Sequence, residues 1–192
     1  MGKNFKKRRT MLYIPGNNPA MIQQGGVYGA DSILLDLEDA VALNQKDAAR
    51  TLVRNMIKVT NFYDAEVCVR INHLSTPFGL ADLEEIVPLQ PSAIRYPKTE
   101  SAEEVANLLR IIEKIEDRHG LPHNKMTLHA MIETAMGVQN VFNIASQFSR
   151  GRCHNHWRSR PYCRHEHHLY FRWYWDRLCQ ETDRNGCQGK PY

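Results

Sequence analysis

The sequence predicts an α/β fold built on a parallel sheet, and three observations carry that prediction. Short apolar runs alternate with longer amphipathic ones through the first 150 residues. Polar and charged residues gather at the C-terminal ends of the apolar runs. No G-x-G-x-x-G follows the first run, where "YIPGNNP" has a single Gly, and this weighs against a dinucleotide-binding sheet. A doubly wound sheet and a barrel both fit the alternation. The clustering of polar residues at strand ends favours the TIM (β/α)8 barrel, with only its first five strand–helix units present in residues 1–150.

The elements follow in order. Strands are expected at 11–15 (MLYIP), 32–37 (SILLDL), 66–72 (EVCVRIN), 92–97 (SAIRYP) and 126–133 (MTLHAMIE). Each is short and mostly aliphatic, which suits a parallel strand covered on both faces. The clearest helices are 45–59 and 101–120. The second opens on Ser101 with Glu104 three residues later, a capping box, and closes at Gly120. A further helix is expected over 137–148.

The strand ends carry the chemistry. "PGNN" ends the first strand, Asp36, Glu38 and Asp39 the second, Arg70 and Asn72 the third, Lys98 the fourth and Glu133 the fifth. In a barrel these ends share one face, where strand-to-helix loops build the active site. The set contains carboxylates, one Arg and one Lys, with no Ser–His pair and no Cys nucleophile. Glu133 with a second carboxylate would hold a hard divalent cation such as Mg²⁺. The Arg70 fork suits a substrate carboxylate; a structural pairing with Glu38 is the competing reading. Cys68 is expected as a small core hydrophobe, and His129 as a core histidine.

Composition narrows the classes. The chain has 192 residues, of which 42% are apolar and 24% charged, ordinary values for one globular domain. No 18-residue apolar run exists, so no membrane span is expected. The basic "MGKNFKKRR" is followed by no apolar signal core, which points to the cytoplasm. The net charge of +4 arises beyond residue 150. Residues 151–192 hold eight Lys/Arg and four Asp/Glu; the totals of 25 and 21 then leave 17 of each sign in the body. A neutral body gives no electrostatic case for nucleic acid.

Taken together, "RRTMLYIPGNN", "DSILLDLEDAVALNQKDAAR", "VRIN", "IRYPKTES" and "MIETAMGVQN" resemble the citrate lyase β-subunit family. It belongs to a superfamily of metal-dependent TIM-barrel lyases that includes malyl-CoA and citramalyl-CoA lyases. The resemblance runs from residue 8 to about 150, in order. It implies Mg²⁺-dependent cleavage of a citryl thioester to an acetyl thioester and oxaloacetate. It implies catalytic positions at Glu38 and Asp39, substrate binding by Arg70 and Glu133, and metal ligation by Glu133. Lys98 falls at the rim, near the thioester carrier. The implied partners are the citrate lyase α (transferase) and γ (acyl-carrier) subunits, in a hetero- and homo-oligomer. The alternatives are a malyl-CoA or citramalyl-CoA lyase and, from another class, a non-catalytic metal-binding module.

The family pattern continues with a second metal Asp in G-[AG]-x-D after strand six, absent here. Instead the composition changes abruptly. Residues 151–192 hold four of five Cys, all three Trp and five of nine His, with no Ala, Val, Ile or Met. Cys spacings of ten, sixteen and eight do not match a structural zinc site. A shift of reading frame does explain them. By codon degeneracy, Arg152–Asn155 can be written CGA TGC CAT AAC. One base later this reads D-A-I-T, and the following codons permit I-G-G-A-D. Residues 151–192 are therefore expected to be a shifted-frame tail. The Mg²⁺ site then keeps one carboxylate of two and the barrel is open, so this polypeptide is expected to be inactive and poorly folded.

Overall fold

The computed structural model describes residues 8–123 and 125–149. The expectations for residues 151–192 lie outside the described residues. Five parallel strands form one sheet: β1 (Met11–Pro15), β2 (Ser32–Asp36), β3 (Glu66–Arg70), β4 (Ala93–Tyr96) and β5 (Thr127–Ala130). Their spatial order is β1-β2-β3-β4-β5, each strand beside its neighbour in sequence. A doubly wound sheet reverses direction at a switch point; a singly wound order does not. The order therefore decides for the barrel type.

The helices are α1 (Pro19–Gln24), α2 (Lys46–Val59), α3 (Gly79–Ile86), α4 (Ala102–Arg118), α5 (Ala135–Gln139) and α6 (Val141–Ser149). The expected capping box is present: Ser101 Oγ accepts from the Glu104 N–H at 3.1 Å, and Glu104 Oε2 accepts from the Ser101 N–H at 3.3 Å. The helix expected over 137–148 is instead two. Thr134 caps α5 through its hydroxyl, which accepts from the Gly137 N–H, and α6 starts after Asn140. Two of these helices, α1 and α3, are not expected from the sequence pattern. Asn18 caps α1 by accepting from the Met21 N–H, and Pro19 supplies a preset first φ.

Strand register sorts the side chains. Ile14, Ile33, Leu35, Val69, Ile94 and Tyr96 belong to the main core with Val53, Leu83 and Leu108 of the helices. Each such side chain contributes about 1.5–3 kcal/mol by leaving water. The alternate positions share the opposite face. There Leu34, Cys68 and Ala93 form a small cluster with Met11. Cys68 is buried, its Sγ is 3.2 Å from Ser32 Oγ, and burial pushes its thiol up, as befits a packed side chain rather than a nucleophile. One step along the strands, Asp36, Arg70, Arg95 and His129 fall in a single row.

The loop after β1 closes on β2. Gly16 N donates to Asp36 O at 2.8 Å. A Cβ there would sit 2.6 Å from that oxygen and 3.0 Å from Leu37 and Val53 side-chain carbons. The carbonyl is main chain and cannot swing aside alone. Gly16→Ala is expected to cost about 1–3 kcal/mol, read as a lower urea midpoint at unchanged slope.

Candidate active site

The candidate site lies at the C-terminal ends of β2 to β5. It is built around Asp36, the last residue of β2. Its carboxylate accepts from the N–H groups of Glu38 (2.9 Å) and Ala40 (3.1 Å), and so shapes the turn that carries Glu38 and Asp39. It also accepts from Arg70 Nε (2.7 Å) and Nη2 (2.5 Å) in a two-point pair. The Asp36 and Arg70 side chains are only 2% and 10% exposed. Burial alone would raise the Asp36 carboxyl. The Arg70 bonds and the two N–H groups outweigh that and hold it below the ordinary carboxylate value. The same pair keeps Arg70 charged against its own desolvation.

Glu38 joins the two cations of the site. Its Oε1 is 2.6 Å from Lys98 Nζ, and its Oε2 is 3.0 Å from Arg70 Nη1. The second contact is an ion pair without an aligned hydrogen bond. Lys98 also reaches Asp39 Oδ1 at 3.4 Å. Asp39 is 65% exposed and Lys98 48%, so that contact is a solvent-screened rim interaction. The hydrogen bond it donates to Glu38 raises the Lys98 ammonium against a smaller burial penalty. Lys98 holds φ at +47°, in the left-handed region that costs a non-glycine residue of order 1 kcal/mol or more. Its neighbours fix it there: Thr99 N donates to Met131 O, and the Thr99 carbonyl packs against Gly137.

Glu133 lies three residues past the end of β5, in the loop before α5, and is half-buried. Burial raises its carboxyl, and the nearby Glu38 charge adds to this. Arg70 and Lys98 oppose the rise. On the strand face below, two guanidinium groups lie near the Tyr13 ring, with Arg70 Cζ 5.9 Å and Arg95 Cζ 5.8 Å from its centroid.

The expected residues are therefore brought together: Glu38, Asp39, Arg70 and Lys98 in direct contact, and Glu133 within electrostatic reach of all four. Arg70 pairs with Glu38 and, more tightly, with Asp36, which uses two of its five N–H donors. Nη1 lies beside Glu38, and the Asp36 pair fixes the guanidinium plane. Among the described residues no three His, Cys, Asp or Glu side chains form a metal-binding group. Glu133 fits one hard-cation ligand, since Mg²⁺ takes one or two carboxylates plus waters, and a dication beside it would offset the burial that raises its carboxyl.

Three buried groups were not legible as part of this site. Lys46 Nζ donates to the carbonyls of Leu37 (2.8 Å) and Glu38 (2.5 Å). Arg50 Nε donates to Asp82 Oδ1 at 2.7 Å. Asp82 Oδ2 in turn accepts from the N–H and Nδ2 of Asn72, at 2.8 and 2.7 Å.

A family model described as HpcH/HpaI aldolase/citrate lyase matches residues 9–151. The chain belongs to this family. It is 43% identical over 147 residues to the citrate lyase subunit beta of Leuconostoc mesenteroides subsp. cremoris, covering 77% of this chain and 49% of that protein. It is 34% identical over 138 residues to a (3S)-malyl-CoA thioesterase of Cereibacter sphaeroides, covering 72% and 45%. In structure it is similar to the citrate lyase beta subunit from M. tuberculosis complexed with oxaloacetate and magnesium, at TM-score 0.56 and 29% identity, covering 73% of this chain and 55% of that one. The chain thus spans about half the length of the curated relatives it matches, and the family match ends where the composition changes. Among the described residues no helix is long and apolar enough to cross a membrane.

Proposed function

We propose that residues 8–150 form the first half of a citrate lyase β-type barrel, which cleaves a citryl thioester to oxaloacetate and an acetyl thioester. The observation that supports it best is the Asp36–Arg70–Glu38–Lys98 chain of ion pairs at the strand ends, with Glu133 beside it. Cleavage breaks the bond between the carbinol carbon and the methylene next to the thioester. The hydroxyl proton must leave as the keto group forms, and the methylene must later gain a proton. Arg70, its plane fixed by Asp36, supplies N–H donors to a substrate carboxylate. Glu38, held by Lys98 and Arg70, and Asp39 at the rim are the carboxylates that would do the proton work. Glu133 would hold Mg²⁺, which supplies Lewis-acid polarisation of the keto-acid oxygens when bound.

In this reading the partners are α (transferase) and γ (acyl-carrier) subunits in a cytoplasmic hetero- and homo-oligomer, and the acetyl product leaves as its thioester, acetyl-CoA in the free-CoA version. The likeness to a malyl-CoA thioesterase keeps a malyl-CoA or citramalyl-CoA lyase as the second reading. One experiment separates them. Residues 1–150 are fused to the C-terminal half of the Leuconostoc relative and assayed with citryl-CoA and malyl-CoA. Mg²⁺-dependent release of oxaloacetate from citryl-CoA is expected; preference for malyl-CoA favours the second reading, and no cleavage of either rejects both.

The shifted-frame origin of residues 151–192 belongs to the same proposal. The DNA around codon 150 is expected to encode strand six and its Asp one base out of register. A sequence with no such overlap refutes it.

A further inference from the structure

We propose that Lys46 is a positioning residue that sets the turn carrying Glu38. The idea rests on Glu38 as a site carboxylate but concerns how the turn is held. Lys46 is the first residue of α2 and is 6% exposed. Its ammonium donates to two consecutive main-chain carbonyls, those of Leu37 and Glu38. Consecutive carbonyls that converge on one point repel each other, and a cation between them removes that repulsion. An apolar side chain would fill the same space with less desolvation but would supply no donor.

The clamp is two-sided. Leu37 O also accepts from Asn72 Nδ2 at 2.9 Å, and Asn72 is held by Asp82, which Arg50 holds. The Leu37–Glu38 segment is therefore tied to α2 through Lys46 and to α3 through Asn72 and Asp82. On its other side the turn meets Asp36, whose carboxylate takes the Glu38 and Ala40 N–H groups. With its main chain fixed on both sides, Glu38 directs its carboxylate toward Arg70 and Lys98. Removing the ammonium leaves Leu37 O with Asn72 Nδ2 alone and Glu38 O with the Val41 N–H alone, and loosens the turn before it loosens the sheet.

The test uses the full 192-residue chain and, in parallel, the fused barrel in which the sheet is closed, both followed by amide-resolved NMR. Lys46→Met keeps the stem and removes the donors; Lys46→Arg restores donors. In Lys46→Met the Leu37–Ala40 amide signals are expected to shift, and protection of the Glu38 and Ala40 amides to fall roughly tenfold or more, while the β4, β5 and α4 amides keep theirs. Lys46→Arg is expected to recover most of that protection. The proposal is overturned if Lys46→Met leaves the turn amides unchanged, if protection falls uniformly across the sheet, or if Lys46→Arg recovers nothing. Inactivity of the fused barrel would reject the proposed function yet leave this readout intact.

Discussion

Asp36→Ala is expected to lower the stability of the folded sheet by about 3–5 kcal/mol at neutral pH, the range for breaking one side of a buried ion pair. The argument is what remains behind. Arg70, 10% exposed, loses a two-point partner and stays charged. The Glu38 and Ala40 N–H groups lose their acceptor at the same time. Glu38 already lies 3.0 Å from Arg70 and offers a substitute partner, which pulls the loss toward the lower end. Against a total stability of roughly 5–15 kcal/mol this is a large fraction. Urea unfolding followed by circular dichroism measures it, and a loss under about 1 kcal/mol would mean that Arg70 does not depend on Asp36. The pH dependence has a definite sign. The folded Asp36 carboxyl titrates below its unfolded value of about 3.9. Its contribution is therefore complete above that value and is lost as pH falls through the folded one. Asp36→Ala should flatten the acid side of the stability curve.

Much of this was visible in sequence because strand chemistry is local. The β2 segment reads as a continuous apolar run ended by a carboxylate, and its expected 32–37 differs from the observed Ser32–Asp36 by one residue. Glu133 was expected at the end of a strand over 126–133, but β5 stops at Ala130 and the carboxylate stands in the following loop. What stayed hidden was long-range pairing. Lys46 and Arg50 sit on an amphipathic helix, where charged residues normally face water. Both are buried because of partners elsewhere: Arg50 meets Asp82, 32 residues away, and Lys46 meets the carbonyls of a turn whose path no periodicity specifies. Asp36 was legible as polar and strand-ending, but its four hydrogen bonds were not. The Lys98 backbone was equally invisible, since its positive φ follows from the packing of Thr99 against Met131 and Gly137.

Arg70→Lys, in the fused barrel that completes the site, is expected to lower kcat/KM for citryl-CoA by about 10²–10³-fold, the usual effect of removing one preorganised electrostatic group. A lysine keeps the charge and loses the geometry. Its ammonium cannot span both Asp36 oxygens and also reach Glu38, as the guanidinium does through Nε, Nη2 and Nη1. The two readings of Arg70 predict different outcomes. A purely structural Arg70 makes the variant less stable, with kcat/KM recovering once the folded fraction is accounted for. A substrate-facing Arg70 leaves the deficit in the fraction that is folded. Asp36→Asn is the control, because it weakens the hold on the guanidinium without removing its donors. If that variant loses stability but keeps most of its activity while Arg70→Lys loses activity, the donors act on substrate. If the two fall in parallel, the pair acts as one unit and the substrate fork is refuted.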